Sequence, residues 1–322
     1  MRILVTGGVG VNGSWVTRKL LERGHEPIVL ENRADYSLLP DLEGRFELVL
    51  GDITQLEPLA AVMKEKKVER VVHMAAYFTP TMEDEPYVQF AVNGMGTVTV
   101  LEAARRSGVQ RVVYTSSRGY YGETPRGVGE PGYVPIAEDY PPRPKMVYDV
   151  SKNASEGMGR NFARVYGIEF AALRFAGIYG PGKMARHSFT SLRSRLVEDP
   201  FAGKAVRLPD GGDQLDDMIY VDDIAEAIVM ATLAPKLGYD AYNIASGEGH
   251  TLREFAAAVR AEIPGAEIEI GPGSRQYGPH HNYAIFDITR ARTDLGWRPR
   301  FSIQAGVHDY VETLRRRAAV HA

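Results

Sequence analysis

The sequence predicts an α/β protein, a doubly wound parallel sheet with a smaller C-terminal lobe. Three observations carry that prediction. Short β-branched runs alternate with longer helical patterns through the first half of the chain. Those runs are continuously apolar, as strands buried on both faces must be. A glycine-rich loop joins the first strand to the first helix.

The elements follow in order. "RILVTG" reads as a buried strand and Ser14 to Arg23 as a helix stopped by Gly24. "EPIVLEN" and "FELVLGD" are the second and third strands, and Leu56 to Lys66 is a helix. "VERVVHMAA" is a fourth strand, Val88 to Ser107 a long helix, and "VQRVVYTSS" a fifth strand. Gly122 to Lys145 is too rich in glycine and proline for a regular element. A helix from Val147 to Tyr166 precedes a sixth strand, "IEFAALRFAGIYG". From Pro181 the rhythm breaks into short, arginine-rich pieces. "YVDDIAEAIVMATL" is a helix whose Asp222-Asp223 reads as a cap at its start. A helix, a turn and a closing helix end the chain. The domain reading is therefore residues 1–180 for the large sheet, with parts of 215–245 returning to it, and 181–322 mainly for the smaller lobe.

Bulk properties narrow the function classes. The chain has 322 residues, a net charge of −3 and no cysteine. Disulfides, thiolate zinc sites and a cysteine nucleophile are excluded. No basic run or aromatic-interleaved patch suggests nucleic acid. No apolar run approaches the roughly 18 residues of a membrane span, and the apolar start is too short for a signal sequence. A cytoplasmic protein is expected. His280-His281 has no third ligand at credible spacing, so no metal is expected.

The loop Thr6-Gly7-Gly8-Val9-Gly10-Val11-Asn12-Gly13 suits a dinucleotide. Its first glycines allow a tight turn, Gly10 lets backbone approach a pyrophosphate, and Gly13 lets helix pack on strand. The helix N-terminus offers free N–H groups to phosphate. Glu31 closes the second strand about 20 residues on, where a carboxylate accepts ribose hydroxyls and repels a 2′-phosphate. NAD is expected over NADP, although Arg33 stands nearby. Asp52 meets the adenine end or is simply a turn residue. Ala75 and Ala76 are small enough to let a cofactor cross the strand end. Tyr148 and Lys152 stand four residues apart, a spacing that suits proton transfer but is also common on solvated helix faces.

Taken in order, "TGGVGVNGS", "GDIT", "HMAA", "NGMGTVTVLEAA", "YTSSRGYYG", "YDVSK", "LRFAGIYGPG", "YVDDIAEAI" and "LGWRP" resemble the extended short-chain dehydrogenases/reductases. The resemblance is to the NAD-dependent epimerase/dehydratase family and runs from residue 2 to about residue 310. It implies a Rossmann sheet with a small C-terminal substrate-binding lobe, and a homodimer formed through the 88–107 and 147–166 helices. It implies Tyr148 as acid/base, Lys152 as its partner and Ser117 as the third polar group. Lysine and nicotinamide charge would draw the phenol toward a useful pKa. It adds Ile53, Asn93 and Phe175 to Gly7, Gly10, Val11, Asn12, Gly13, Glu31, Asp52, Ala75 and Ala76 around the cofactor, and gives Ser116 a structural part.

Two departures from the family pattern bear on the substrate. Gly177 stands where nucleotide-sugar epimerases carry a substrate-contacting asparagine, and Asp216 where they carry a diphosphate-binding arginine. A carboxylate facing a diphosphate repels it. A smaller substrate is therefore expected: a sugar, sugar acid or similar polyhydroxylated molecule without a nucleotide, oxidised or reduced at a secondary alcohol. The alternative is a nucleotide-sugar 4-epimerase in which Arg193, Arg195 or Arg275 has taken over the clasp. Thr115-Ser116-Ser117-Arg118 lacks the acidic pair of the 4,6-dehydratases, so dehydration is not expected. Arg118 binds a substrate carboxylate or phosphate, or pairs with Glu123 or Asp139. Lys183, Arg186, Arg193 and Arg195 are further candidates for an anion. A regulatory protein that has kept the glycine loop and lost catalysis is the reading of another class, and the survival of Ser117, Tyr148 and Lys152 argues against it.

Overall fold

The computed structural model describes residues 1–78, 84–125, 127–187, 191–275 and 284–321. His280-His281 lies outside the described residues.

The strands are β1 Arg2–Thr6, β2 Glu26–Glu31, β3 Glu47–Leu50, β4 Arg70–His73, β5 Arg111–Ser117, β6 Glu169–Phe175, β7 Gly177–Tyr179, β8 Val206–Leu208, β9 Asp216–Tyr220, β10 Ala241–Ile244, β11 Gly249–His250 and β12 Ile268–Ile270. Seven of them form one parallel sheet in the order β10-β6-β5-β4-β1-β2-β3. The order reverses at β1 and β4, so a crevice opens at their C-terminal ends. The main helices are α1 Val11–Glu22, α2 Leu56–Glu65, α3 Pro86–Phe90, α4 Gly96–Ser107, α5 Val147–Tyr166, α6 Lys183–His187, α7 Leu192–Phe201 and α8 Val221–Leu233.

Period-two alternation sorts the strand side chains into two cores. Ile3, Val5, Val72, Val113 and Leu173 face one layer, which Val16, Leu20, Ile224 and Ile228 of α1 and α8 complete. Leu4, Val71, Val112 and Ala172 face the other, completed by Leu59, Leu101 and Phe162 of α2, α4 and α5. Both faces are buried, which explains why the strands read as unbroken apolar runs.

Three expectations change in detail. The sixth strand is two strands: β6 stays in the large sheet, whereas β7 pairs with β9 in a separate three-stranded sheet. A Cβ at Gly177, the first residue after the break, would press to 2.7 Å from the Arg193 guanidinium and 3.0 Å from the Asp217 carbonyl oxygen. The long helix from 88 runs through a π-helical segment at Ala91–Met95. Asp222 and Asp223 sit in the first turn of α8, but neither side chain caps it. Asp223 instead accepts from the backbone N–H groups of Arg300 and Phe301 at 3.0 and 3.1 Å, and Asp222 pairs with Lys19 at 2.8 Å. They tie the end of the chain to the nucleotide half.

The smaller core gathers Tyr179, Leu196, Val206, Met218, Phe255 and Val307 from the second half of the chain. Its α6 reaches back across the large sheet. Arg186 meets Asp35 at 2.7 Å and the Ser37 hydroxyl at 3.1 Å, both in the loop after β2. No described helix is long and apolar enough to cross a membrane.

Candidate active site

One cleft of about 710 Å³ runs along the crevice between the sheet and the smaller core. A dinucleotide-sized ligand suits that volume.

The glycine loop forms one end. Gly7 has φ +76°, and a Cβ there would lie 2.9 Å from the Ala75 nitrogen. A Cβ on Gly13 would sit 1.9 Å from the Gly7 carbonyl oxygen, so no side chain is possible. This is a cradle of bare backbone, the surface a pyrophosphate needs. Glu31 lines the cleft beside it, and its Oε1 accepts from the Val9 N–H at 2.9 Å. Burial raises the Glu31 pKa, and that hydrogen bond and Arg186 draw it back. Pinning the loop is a task the sequence did not suggest for Glu31. Arg33 points to Asp35 at 3.6 Å and is largely exposed. Asp52 accepts from the Thr54 N–H at 2.8 Å, as a turn residue does, and it also lines the cleft with Ile53. Val11, Asn12, Ala75, Ala76 and Phe175 line it too, so the residues present fit a dinucleotide.

Asn93 does not line the cleft among the described residues. Its side chain accepts from the Tyr77 N–H at 2.7 Å and donates to the Tyr77 carbonyl at 2.9 Å. It is a brace for the loop after β4. The π-helical segment carries it there.

Ser117, Tyr148 and Lys152 meet at the centre of the cleft. β5 brings Ser117 to its C-terminal end, and α5 presents Tyr148 and Lys152 one turn apart. Asp149 starts that helix by accepting from the Met146 N–H at 3.2 Å. Lys152 Nζ donates to the Thr115 carbonyl at 2.8 Å and stands 4.6 Å from the Tyr114 ring centre. Burial lowers its pKa to about 7, with Glu156 pulling the other way. Burial also raises the Tyr148 phenol well above its ordinary value, while the Ser117 hydroxyl beside it acts to lower it. The expected lowering of the phenol by Lys152 is absent, because the ammonium turns to Thr115 and desolvation dominates.

Behind these residues lies a buried polar net. Ser116 donates to Glu156 at 2.6 Å, and Arg174 grips the same carboxylate at 2.8 and 3.1 Å. Ser116 is thus structural, locking β5 to α5.

The substrate side departs most from expectation. Arg118 pairs with neither Glu123 nor Asp139; its Nη1 donates to Asp216 at 2.8 Å. Asp216 is buried and also pairs with Arg193. The premise of a bare carboxylate repelling phosphate therefore fails: two guanidinium groups neutralise it. Arg193 and Gly177 line the cleft with Lys183 and Arg186. Arg195 pairs with Asp199 at 2.9 Å and Arg275 with Asp210 at 2.5 Å, and neither lines the cleft. The described residues hold no cluster suited to a metal.

The model of the NAD dependent epimerase/dehydratase family matches residues 3–245. The UDP-glucose 4-epimerase of Mycolicibacterium smegmatis is 31% identical, covering 99% of this chain and 100% of that protein. The UDP-glucose 4-epimerase of Thermotoga maritima, solved with UDP-glucose, has a TM-score of 0.86 and 27% identity over 99% of this chain and 100% of its own. The Thermus thermophilus UDP-glucose 4-epimerase, solved in complex with NAD, has a TM-score of 0.82 and 30% identity, covering 98% of this chain and 99% of that one. With that match spanning the glycine cradle, the central trio and the sheet that presents them, the chain belongs to the NAD dependent epimerase/dehydratase family and is an NAD-dependent enzyme.

Proposed function

We propose that the chain is a 4-epimerase of nucleotide sugars. The observation that carries this reading is the neutralised Asp216. With Arg118 and Arg193 against it, the cleft wall that begins beside Ser117 no longer presents a bare carboxylate and can accept a diphosphate. The relatives named above as UDP-glucose 4-epimerases support the same reading.

The glycine cradle and Glu31 would hold the dinucleotide, with Lys152 within reach of its nicotinamide ribose. When bound, NAD supplies a reversible hydride acceptor. The chain's own residues do the rest. The Ser117 hydroxyl orients the reacting oxygen. Tyr148 takes that oxygen's proton and gives it back. Its raised pKa means that the phenolate needs positive charge added beside it, which bound NAD would supply. Burial of Tyr148 and Lys152 keeps water from the proton path. The smaller core supplies the substrate wall. We further expect a second copy of the chain on the outer faces of α3 to α5, where Tyr87, Val88, Met95 and Val150 are exposed.

Incubation with UDP-galactose tests the function. The expected outcome is UDP-glucose with no lasting NADH absorbance, and loss of turnover by at least about 100-fold in Tyr148→Phe. NADH that accumulates with a free sugar or sugar acid would instead establish a dehydrogenase.

A further inference from the structure

His73 ends β4 where the order of the large sheet reverses, and no step proposed for the reaction uses it. It is 1% exposed, faces Thr6 across the β1–β4 pairing and directly precedes Met74 and Ala75, which line the cleft. A buried imidazole needs partners for both ring nitrogens. Nδ1 lies 2.7 Å from the Thr6 hydroxyl, and Nε2 lies 3.1 Å from the Thr97 hydroxyl on α4.

Neighbouring bonds fix the direction of each contact. The Thr6 hydroxyl oxygen accepts from the Met74 and Ala75 N–H groups, both at 3.2 Å. Its lone pairs are used, so its hydrogen goes to Nδ1. The Thr97 hydroxyl donates to the Asn93 carbonyl at 2.7 Å, so its oxygen accepts from Nε2–H. One form of the ring satisfies both ends: neutral, with the proton on Nε2. An imidazolium would turn a second donor on Thr6 and leave that hydroxyl hydrogen without an acceptor. Burial and Lys152, the charged group of α5 that acts on the ring, hold the His73 pKa down at about 3.

The line continues past the ring. Ser155 of α5, three residues beyond Lys152, donates to the same Asn93 carbonyl at 3.0 Å. The His73 carbonyl accepts from the Thr115 hydroxyl at 3.2 Å, and the Thr115 carbonyl accepts from Lys152. Thr6 is the last residue of β1, and Gly7 of the cradle follows it. One residue thus reaches the cradle in one direction and α5 at two points in the other.

We propose that His73 is a positioning residue, whose neutral Nε2–H imidazole sets the register between a dinucleotide on the cradle and Tyr148 on α5. This rests on the placing of Tyr148 and Lys152 at the reacting centre. The cofactor is held from the cradle and the reacting oxygen from α5, and a shift of about 1 Å between them costs about 100-fold in rate. A planar ring with one acceptor and one donor joins the two parts by directional bonds.

A two-bond ¹H–¹⁵N spectrum of the NAD-loaded enzyme, with the His73 signal assigned by its loss in His73→Asn, tests the ring itself. It should show the Nε2–H pattern and no titration across the range of an ordinary histidine, about pH 5 to 8. His73→Asn sets an amide oxygen near the Nδ1 place, keeping the Thr6 bond and losing Thr97. Its kcat with UDP-galactose should fall about 10- to 100-fold with NAD affinity unchanged. His73→Gln sets an amide nitrogen near the Nε2 place, keeping the Thr97 bond and losing Thr6. Its NAD affinity should weaken about 3- to 10-fold, with kcat at saturating NAD closer to wild type. Thr97→Val and Thr6→Val cut the same two ends with the ring left in place, and should repeat the two halves should the His73 variants fail to fold. A histidine that only stabilises the fold would lower the melting temperature in all four without this crossing, and that result overturns the proposal. An Nδ1–H ring, or one that titrates like a free histidine, overturns it as well. A wild type that leaves UDP-galactose unchanged removes the 4-epimerase reading, and full turnover in Tyr148→Phe removes the placing of Tyr148. In either case the ring form and the NAD half of the crossing still decide on His73.

Discussion

Lys152 shows how one residue's burial sets a property of the whole protein. Its pKa falls to about 7 in the fold, against roughly 10.4 in an unfolded chain. Between those values the unfolded chain holds more protons, so stability rises with pH across the window. Lys183 acts in the same direction. Chemical denaturation of the cofactor-free protein should therefore show stability climbing from pH 7 toward pH 10, with a shallower slope in Lys152→Met. A slope identical to wild type would mean that Lys152 is not desolvated. The trio of Tyr148, Lys152 and Ser117 was legible through the family resemblance of the motifs around it, since the four-residue spacing of Tyr148 and Lys152 is by itself common on helix faces. The Arg193–Asp216 pair was not. Each residue was noticed singly, but their contact joins α7 to β9, and no local pattern encodes an ion pair between separate elements. Reading Asp216 without its partners gave the wrong sign to the electrostatics of the substrate wall.

The element on which most depends is α5. It carries Tyr148 and Lys152 on one face, and its position over the sheet is set by a glycine. A Cβ on Gly159 would lie 2.2 Å from the Phe170 ring on β6. Gly159→Ala should destabilise by about 1–3 kcal/mol as helix and strand are forced apart. Because the displaced helix bears Tyr148, kcat should fall while the glycine cradle keeps its NAD. Thermal denaturation and steady-state kinetics on the same variant check both halves. Element existence was readable from apolar periodicity, whereas three element-level details were hidden. The π-helical segment carries Asn93 to the Tyr77 backbone, a contact with a residue 16 positions earlier. The break after Phe175 depends on pairing with β9, which lies some forty residues on. Asp222-Asp223 imitates a cap locally, yet Asp223 accepts from the backbone of Arg300 and Phe301, and Asp222 pairs with Lys19.

At the scale of the whole molecule, the parallel sheet and its crevice followed from alternation and the glycine loop, since few topologies satisfy both. What the sequence left out is the grip between the two halves across the mouth of the cleft. Arg186 of α6 holds Asp35 and Ser37 beyond β2, and a Cβ on Gly182 would press to within 2.9 Å of the Leu38 side chain. Glu31, Arg33 and Arg186 all line the cleft, so a dinucleotide seated on the cradle would lie near this grip. The consequence is one of residence time. A dehydrogenase must shed its reduced cofactor on every cycle, whereas an epimerase restores it in place and gains from never letting it go. If the Arg186–Asp35 contact must open for the cofactor to leave, its exit rate depends on that contact as well as on its own affinity. Arg186→Ala and Asp35→Ala should each speed exchange of bound NAD for a fluorescent analogue by about 10-fold, the scale of one partly buried ion pair of about 1–2 kcal/mol. Wild-type protein should emerge from purification with NAD still aboard, and the two variants should emerge largely empty.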